Sequence, residues 1–245
     1  MIKAVKKLFS NTPKDIFQVT IDIHSHLIPG IDDGSKNMEQ SIEMIETFMA
    51  LGYTKLITTP HIMSHRYPNT RAVLEEGLYA LQKELRKREL EIAIEVASEY
   101  YLDETVMELV EQRDILTFGK SYMLFEMSYV QPLHHLKEML FEIKVAGYTP
   151  VLAHPERYIY MHEDFSKYER LKEMGVLFQV NIPSLGGYYS KPVQKVAKRI
   201  AEAGMIDFIG SDAHKMAHLD ALKEVRSKKT YAKLFENNTI LNNTL

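Results

Sequence analysis

The feature that most constrains this chain is a rhythm. Short β-branched or apolar runs alternate with longer amphipathic stretches from residue 18 to about 226. The strand-like runs are Gln18–Ile23, Lys55–Thr59, Glu91–Ala97, Tyr122–Phe125, Thr149–Ala153, Val176–Val180 and Asp207–Gly210. Between them the spacing predicts helices over 38–51, 72–89, 103–112, 135–146, 165–174, 190–204 and 216–226. Met38, Ile42, Ile45 and Met49 recur at the helical period, as do Val193, Val196, Ile200 and Ala203. Glycines at 52, 147, 175 and 204 close helical stretches, where a left-handed cap belongs. Such alternation describes an α/β fold with a parallel sheet. We read it as a single seven-stranded (β/α) barrel; periodicity alone leaves an open doubly wound sheet as the alternative.

The composition shows no break, and 245 residues suit one α/β domain. The expected organisation is an N-terminal extension (1–17), one barrel domain (18–235) and a polar, asparagine-rich tail (236–245) expected to fray. Cysteine is absent, so disulfides, thiolate metal sites and a thiolate nucleophile are excluded. The 30 basic and 33 acidic residues argue against nucleic acid or an acidic membrane as partner. No apolar run approaches the roughly 20 residues that span a bilayer. The start, Met1–Phe9, is too short in apolar length for a secretory signal and reads as a short surface helix. A cytoplasmic protein is expected.

Placement carries the chemistry. His24 and His26 follow the first strand, with Asp33 in the Asp32-Asp33-Gly34 loop beyond as the candidate ligand. His61 follows the second, Glu99 ends the third, Glu126 the fourth, and His154 and Arg157 follow the fifth. Asp212 and His214 follow the seventh. In a parallel barrel these ends face one mouth, where active sites assemble. Six of seven strands thus bring imidazole or carboxylate to one rim. A lone histidine or carboxylate at a strand end is more often a cap, but His24-Ser25-His26 and Asp212-Ala213-His214 each place alternate residues on one side. Crowded carboxylates need cations to neutralise them, and nine candidate ligands imply two or three ions, with Zn²⁺, Mn²⁺ or Fe²⁺ suited to the donors.

These segments resemble a known group. Asp22-Ile23-His24-Ser25-His26, Thr59-Pro60-His61, Ala153-His154-Pro155-Glu156-Arg157-Tyr158 and Ser211-Asp212-Ala213-His214 are similar to the polymerase-and-histidinol-phosphatase (PHP) superfamily. Within it, the run Leu27 to Gly34 and the His-Pro-Glu-Arg-Tyr segment resemble the bacterial protein-tyrosine phosphatases of capsule and exopolysaccharide operons (CpsB/CapC/YwqE-like). The resemblance implies a distorted seven-stranded barrel holding three divalent metals, commonly manganese, with iron, cobalt or zinc as alternatives. By that resemblance His24, His26, Glu99 and Asp212 hold the first ion. Glu99, Glu126 and His154 hold the second, and Asp33, His61 and His214 the third. Arg157 grips the phosphate, with Glu99 and Asp212 counted beside it as catalytic. The implied partner is a phosphotyrosine protein, a tyrosine autokinase of polysaccharide export.

The implied chemistry is hydrolysis of a phosphotyrosine monoester by a metal-bridging hydroxide, with Arg157 offering a bidentate fork to the phosphoryl oxygens. An arginine that the family carries after the last motif is not evident; Lys215, His218 or Arg66 is the candidate replacement. The segment Pro183–Tyr189 reads as an open rim loop with a flexible glycine pair. Pro68-Asn69-Thr70 reads as a helix cap, and His134–His135, His65 and His162 as residues outside the metal set. The alternatives are a small-molecule phosphatase of the histidinol phosphate kind, a metal-dependent amidohydrolase, and a binding module that has lost catalysis.

Overall fold

The computed structural model describes residues 19–245. The N-terminal extension (1–17), its expected helix and Gln18 lie outside the described residues. Nine strands form among the described residues: β1 Ile21–Asp22, β2 Lys55–Thr58, β3 His61–Ile62, β4 Ala93–Val96, β5 Glu99–Tyr101, β6 Tyr122–Glu126, β7 Thr149–Ala153, β8 Leu177–Asn181 and β9 Phe208–Gly210. They lie in two sheets, β1-β2-β4 and β3-β5-β6-β7-β8-β9, and every ladder is parallel.

The ladders therefore do not form the seven-stranded closed barrel that the rhythm predicts. Two of the expected strands form as β2 and β4, and each is followed by a short strand that was not expected, β3 beyond Thr59-Pro60 and β5 beyond Ala97-Ser98. Pro60 has no N–H for a ladder, and its carbonyl instead accepts the Ser98 hydroxyl at 2.8 Å. The Thr59 N–H turns to Ser25 O at 2.7 Å. At the other side β1 and β9 are joined by an isolated bridge between Ser25 and Ala213 rather than a ladder. There the His26 N–H reaches Ala213 O at 3.0 Å and the Asp212 N–H reaches His24 O at 2.8 Å.

Nine α-helices accompany the strands among the described residues: α1 Met38–Ala50, α2 Arg71–Lys87, α3 Glu104–Glu111, α4 Leu136–Val145, α5 Ser166–Glu173, α6 Ile182–Gly186, α7 Lys191–Glu202, α8 Met216–Arg226 and α9 Lys229–Asn237. Seven stand where periodicity predicts. Asn37, Thr70, Asp103 and Ser190 cap α1, α2, α3 and α7 by accepting from backbone N–H groups in the first turn. The glycines expected to end helices at 52, 147, 175 and 204 all have positive φ.

Helices α6 and α9 were not expected. The segment read as an open loop at Pro183–Tyr189 begins as α6, with Ile182, Pro183, Ser184 and Leu185 buried. Proline is tolerated in a first helical turn, and the apolar pair Ile182 and Leu185 gives this short helix a face to bury against α7 and α8. The tail expected to fray is also built into the fold. Asn242 is fully buried; its amide donates to Ile21 O (3.0 Å) and Ile209 O (2.8 Å) and accepts from the Ile209 N–H (3.0 Å). Asn238 likewise accepts from the Ile206 N–H and donates to Ala201 O and Leu234 O. Of the asparagines that made the tail look polar, Asn242 satisfies backbone groups of β1 and β9, and Asn238 those of α7, α9 and the segment leading into β9.

Side chains alternate across each strand. Ile21, Ile23, Ile57, Leu124, Val151, Ala153 and Phe208 form an inner core enclosed by the strands, with Leu241 and Leu245 of the tail packed against it. Phe125 and Leu152 face outward into a larger core with Phe48, Leu81, Leu140, Leu171, Ile200 and Leu222 from the helices. No helix among the described residues is long and apolar enough to cross a membrane.

Candidate metal centre

The parallel strands deliver all nine candidate ligands to one place. His24 and His26 follow β1, His61 and Glu99 open β3 and β5, Glu126 ends β6, His154 follows β7, and Asp212 and His214 follow β9. Asp33 comes from the loop after β1. Their donor atoms fall into four overlapping groups, each within 4.8 Å: His26, Asp33, His61 and His214; His24, Glu99 and His154; His24, His26 and Asp212; His61, Glu99 and Glu126. His24, His26, His61 and Glu99 each join two groups, so the division into three separate sets is less sharp than the resemblance implies. His24, His26 and Glu99 are fully buried, whereas the Asp33 side chain is 47% exposed and marks the solvent side.

The residues fit a metal. His24 Nε2, His26 Nε2, His61 Nδ1, His154 Nδ1 and Glu99 Oε2 are buried without a hydrogen-bond partner. His24 Nε2 comes within 3.1 Å of Glu99 Oε2 but is not aligned to donate to it, so the two atoms are neighbours rather than a bonded pair. The opposite ring nitrogens are held from behind: His24 Nδ1 by Gln179 Oε1 at 2.6 Å and His26 Nδ1 by Asp32 Oδ2 at 2.7 Å. Fixing the outer nitrogen presents the inner one as a ligand. Buried polar atoms left unpaired are costly, and cations neutralise such a set without further protein donors.

Charge runs the same way. Burial opposes ionisation of Glu99 and Asp212, yet the surrounding histidines, and Arg157 for Asp212, hold both well below the usual carboxylate range. Burial would lower His24 and His61, but the carboxylates lift them to about 9 and about 10. Glu126 is pushed up to about 7, by burial first and by the Glu99 charge second. His154 falls to about 4 because burial outweighs its bond to Glu99. His154 and Asp212 also hold positive φ, at 35° and 50°, a conformation non-glycine residues rarely take and one typical of sites under functional constraint.

Arg157 sits in a 3-10 turn (Pro155–Arg157) after β7, its Nη1 3.0 Å from Asp212 Oδ2. The rings of Tyr129 and Tyr189 flank its guanidinium at 4.5 and 4.6 Å. Both tyrosines are tied to the metal set, Tyr129 donating to Glu126 Oε2 at 3.0 Å and Tyr189 to Asp212 Oδ2 at 3.1 Å. Among the candidate replacements for a second cation, His218 touches the set, with Nδ1 2.9 Å from Asp212 O. Arg66 stacks over Tyr67, which itself stacks on His61, and Lys215 is exposed at the start of α8. His65 packs edge-on to Tyr101, His162 bonds Glu156 O at 2.8 Å, and His134 and His135 are exposed; none of the four joins a ligand group.

Sequence reasoning did not find the supporting residues. Gln179, a polar residue inside the apolar β8 run, is the one with a visible signal. Asn181, whose amide donates to Asp212 Oδ2 at 2.7 Å, ends the same strand. Tyr129 lies in a loop and carried no pattern.

The chain matches the family described as capsular polysaccharide synthesis, CpsB/CapC, over residues 20–240. It belongs to the CpsB/CapC family. Among curated relatives, tyrosine-protein phosphatase YwqE of Bacillus subtilis is 31% identical over 195 residues, 79% of this chain and 77% of that protein. The putative tyrosine-protein phosphatase CapC of Staphylococcus aureus is 26% identical over 81% of this chain and 78% of that one. A solved structure from the pair YwqE of B. subtilis and CpsB of Streptococcus pneumoniae, described as unique metal-dependent tyrosine phosphatases, has a TM-score of 0.78 at 28% identity. It covers 90% of this chain and 96% of that chain. A zinc-containing histidinol phosphate phosphatase of Lactococcus lactis shares the fold at 13% identity and a TM-score of 0.55, over 84% of this chain and 92% of that one. This CpsB/CapC chain thus carries its buried imidazole–carboxylate set on the family's own parallel α/β scaffold.

Proposed function

We propose that this chain is a metal-dependent protein-tyrosine phosphatase, holding three divalent ions, most commonly Mn²⁺, on the nine ligands above. The observation that carries the reading is the position of Arg157: a guanidinium clamped between two tyrosine rings, at the edge of nine converging ligands. His24, His26, Glu99 and Asp212 would hold one ion, Glu99, Glu126 and His154 a second, and Asp33, His61 and His214 a third. Family membership and the likeness to YwqE and CpsB support phosphotyrosine as substrate. On this reading the two sheets act as one distorted barrel, interrupted between β1 and β9 and where β2 and β4 give way to β3 and β5.

Bound divalent ions supply Lewis acidity at the phosphoryl oxygens and acidify a water they hold. The chain's own residues do the rest. Arg157 keeps Nη1 on Asp212 and is held flat by Tyr129 and Tyr189, so its remaining N–H groups are oriented toward a phosphate before it arrives. Gln179 and Asp32 fix the tautomers of His24 and His26. A tyrosine phenolate, with a pKa of about 10, leaves with little help from an acid. The partner on this reading is a tyrosine autokinase of polysaccharide export, met in the cytoplasm.

The test is turnover of a phosphotyrosine peptide, a phosphoserine peptide and histidinol phosphate by chelated and Mn²⁺-restored protein. Loss on chelation, recovery with metal and preference for phosphotyrosine are expected. Full activity in protein shown metal-free by elemental analysis, or a preference for histidinol phosphate, would sink this reading.

A further inference from the structure

A second concave surface opens beside the metal centre, a cavity of about 250 Å³ between α4, α5 and the turn at 159–161. Its lining begins one residue past Glu126, at Met127, and three residues past Arg157, at Tyr160. Met127, Met161 and Leu171 are buried in it and Leu136 and Met174 are half-buried, so its wall is apolar. Lys137, Lys167 and Arg170 stand among them, and no carboxylate of the described residues lines the cavity. A roomier surface cavity, about 550 Å³ along α1, is mainly acidic, lined by Glu39, Glu43 and Glu46 with Arg88, and none of the nine candidate ligands lines it.

We propose that the apolar groove holds an acidic and apolar segment of the same polypeptide that presents the phosphotyrosine. The inference rests on the phosphatase reading and adds to it a determinant of substrate sequence. Charge complementarity favours this occupant: three cations line the groove of a chain whose overall formal charge is −3. Lys137 has no ion-pair partner among the described residues, and Arg170 keeps only a 3.5 Å exposed contact with Asp164. Lys167 is tethered through the Tyr160 carbonyl at 2.7 Å, which holds one positive charge at the wall. Continuity with the metal centre is the second argument. Val130 and Ile159, 72% and 60% exposed, adjoin in sequence Tyr129 beside Arg157 and Tyr160 of the groove lining. The Ile159 N–H binds Tyr129 O at 2.9 Å, and Tyr129 itself touches Arg157 and Glu126. Exposed apolar side chains leading from a charged site to an apolar cavity are what a bound chain covers. Apolar contact then supplies affinity, and the three cations select acidic neighbours.

The experiment compares two phosphotyrosine peptides of equal length on Mn²⁺-loaded, full-length protein. One carries leucine, aspartate and glutamate on both flanks, the other glycine and serine; p-nitrophenyl phosphate serves as the small ester. The wild type should prefer the acidic–apolar peptide by about tenfold in kcat/KM, through KM rather than kcat. The double variant Lys137→Glu/Arg170→Glu should lose that preference and keep its rates on p-nitrophenyl phosphate and the neutral peptide. Anisotropy of a labelled, non-hydrolysable phosphonate version of the acidic peptide should weaken by the same factor. Equal kcat/KM for the two peptides, or a charge reversal that lowers both alike, overturns the groove's role and leaves the phosphatase reading standing. Failure to hydrolyse either peptide, by protein active on another phosphoester, overturns the phosphatase reading and the inference with it. A dimer that the charge reversal dissolves, together with equal kinetics, gives the groove to a second copy and overturns the proposal.

Discussion

Four histidine nitrogens crowd the Glu99 carboxylate, at 2.8, 3.1, 3.3 and 3.4 Å from His154, His24, His61 and His26. A group so shared cannot be lost piecemeal. Glu99→Gln should lower both metal occupancy and kcat by at least about a hundredfold, whereas exposed His135→Ala should change neither; elemental analysis with turnover reads both. Arg157→Lys replaces a clamped fork with a point charge and should cost about 1–3 kcal/mol in kcat/KM on a phosphotyrosine peptide, read by steady-state kinetics. Glu156 acts differently. It is fully buried, accepts from the Asn181 N–H (3.0 Å) and the Ser184 hydroxyl (2.6 Å), and burial raises its pKa from 4.5 to about 7. The folded state then keeps a proton that the unfolded chain releases above pH 4.5. This group's contribution is complete below that pH and is lost as pH rises toward about 7. Glu156→Gln should flatten that fall by about 1–3 kcal/mol, measured as Tm against pH from 4 to 8.

At the scale of elements, the turn after β1 is set by a close approach. A β-carbon on Gly34 would collide with Cβ and the carbonyl oxygen of His26 and with Asp32 Oδ1. That carbonyl accepts the Ser35 N–H at 3.1 Å, so the turn lies directly against the ligand histidine. Gly34→Ala should move His26 and Asp32 together, weakening metal affinity by about 10–100-fold at a stability cost of about 1–3 kcal/mol. Metal titration against urea unfolding separates the two effects; unchanged affinity would mean that the turn yields elsewhere. The breaks at Pro60 and Ser98 belong to the same scale. At each the preceding ladder ends three residues before a ligand, so that His61 and Glu99 start new strands beside each other, paired in register.

Across the whole molecule, the tail closes what the ladders leave open. Asn242 bonds Ile21 of β1 and Ile209 of β9, the two strands joined by only an isolated bridge, and Leu241 and Leu245 cover the inner core beneath them. Asn242→Ala would leave two backbone carbonyls and an N–H unpaired in a buried place. It should destabilise the fold by about 2–4 kcal/mol and lower Tm by roughly 5–10 °C, seen by thermal melts. A shift under about one degree would return the tail to the frayed role its composition suggests.

The chain's local code determined a good deal by itself. Seven helices, their caps and the parallel order follow from periodicity and from Asn37, Thr70, Asp103 and Ser190, because each depends on neighbours within one turn. The nine candidate ligands were legible for a related reason: parallel strands share one direction, so a residue's place at a strand's C-terminal end fixes the rim it reaches. Only the tertiary structure decided the rest. Gln179, Asn181 and Tyr129 gain their roles from atoms far away in sequence, as Gln179 does from His24, 155 residues distant. Pro60 ends its ladder locally, but the acceptance of the Ser98 hydroxyl by its carbonyl needs a strand 38 residues away, and the burial of the tail follows from unsatisfied backbone on strands more than 30 and 200 residues away. Local pattern records what a segment must bury or cap, while the partner that satisfies it is chosen only when distant segments meet.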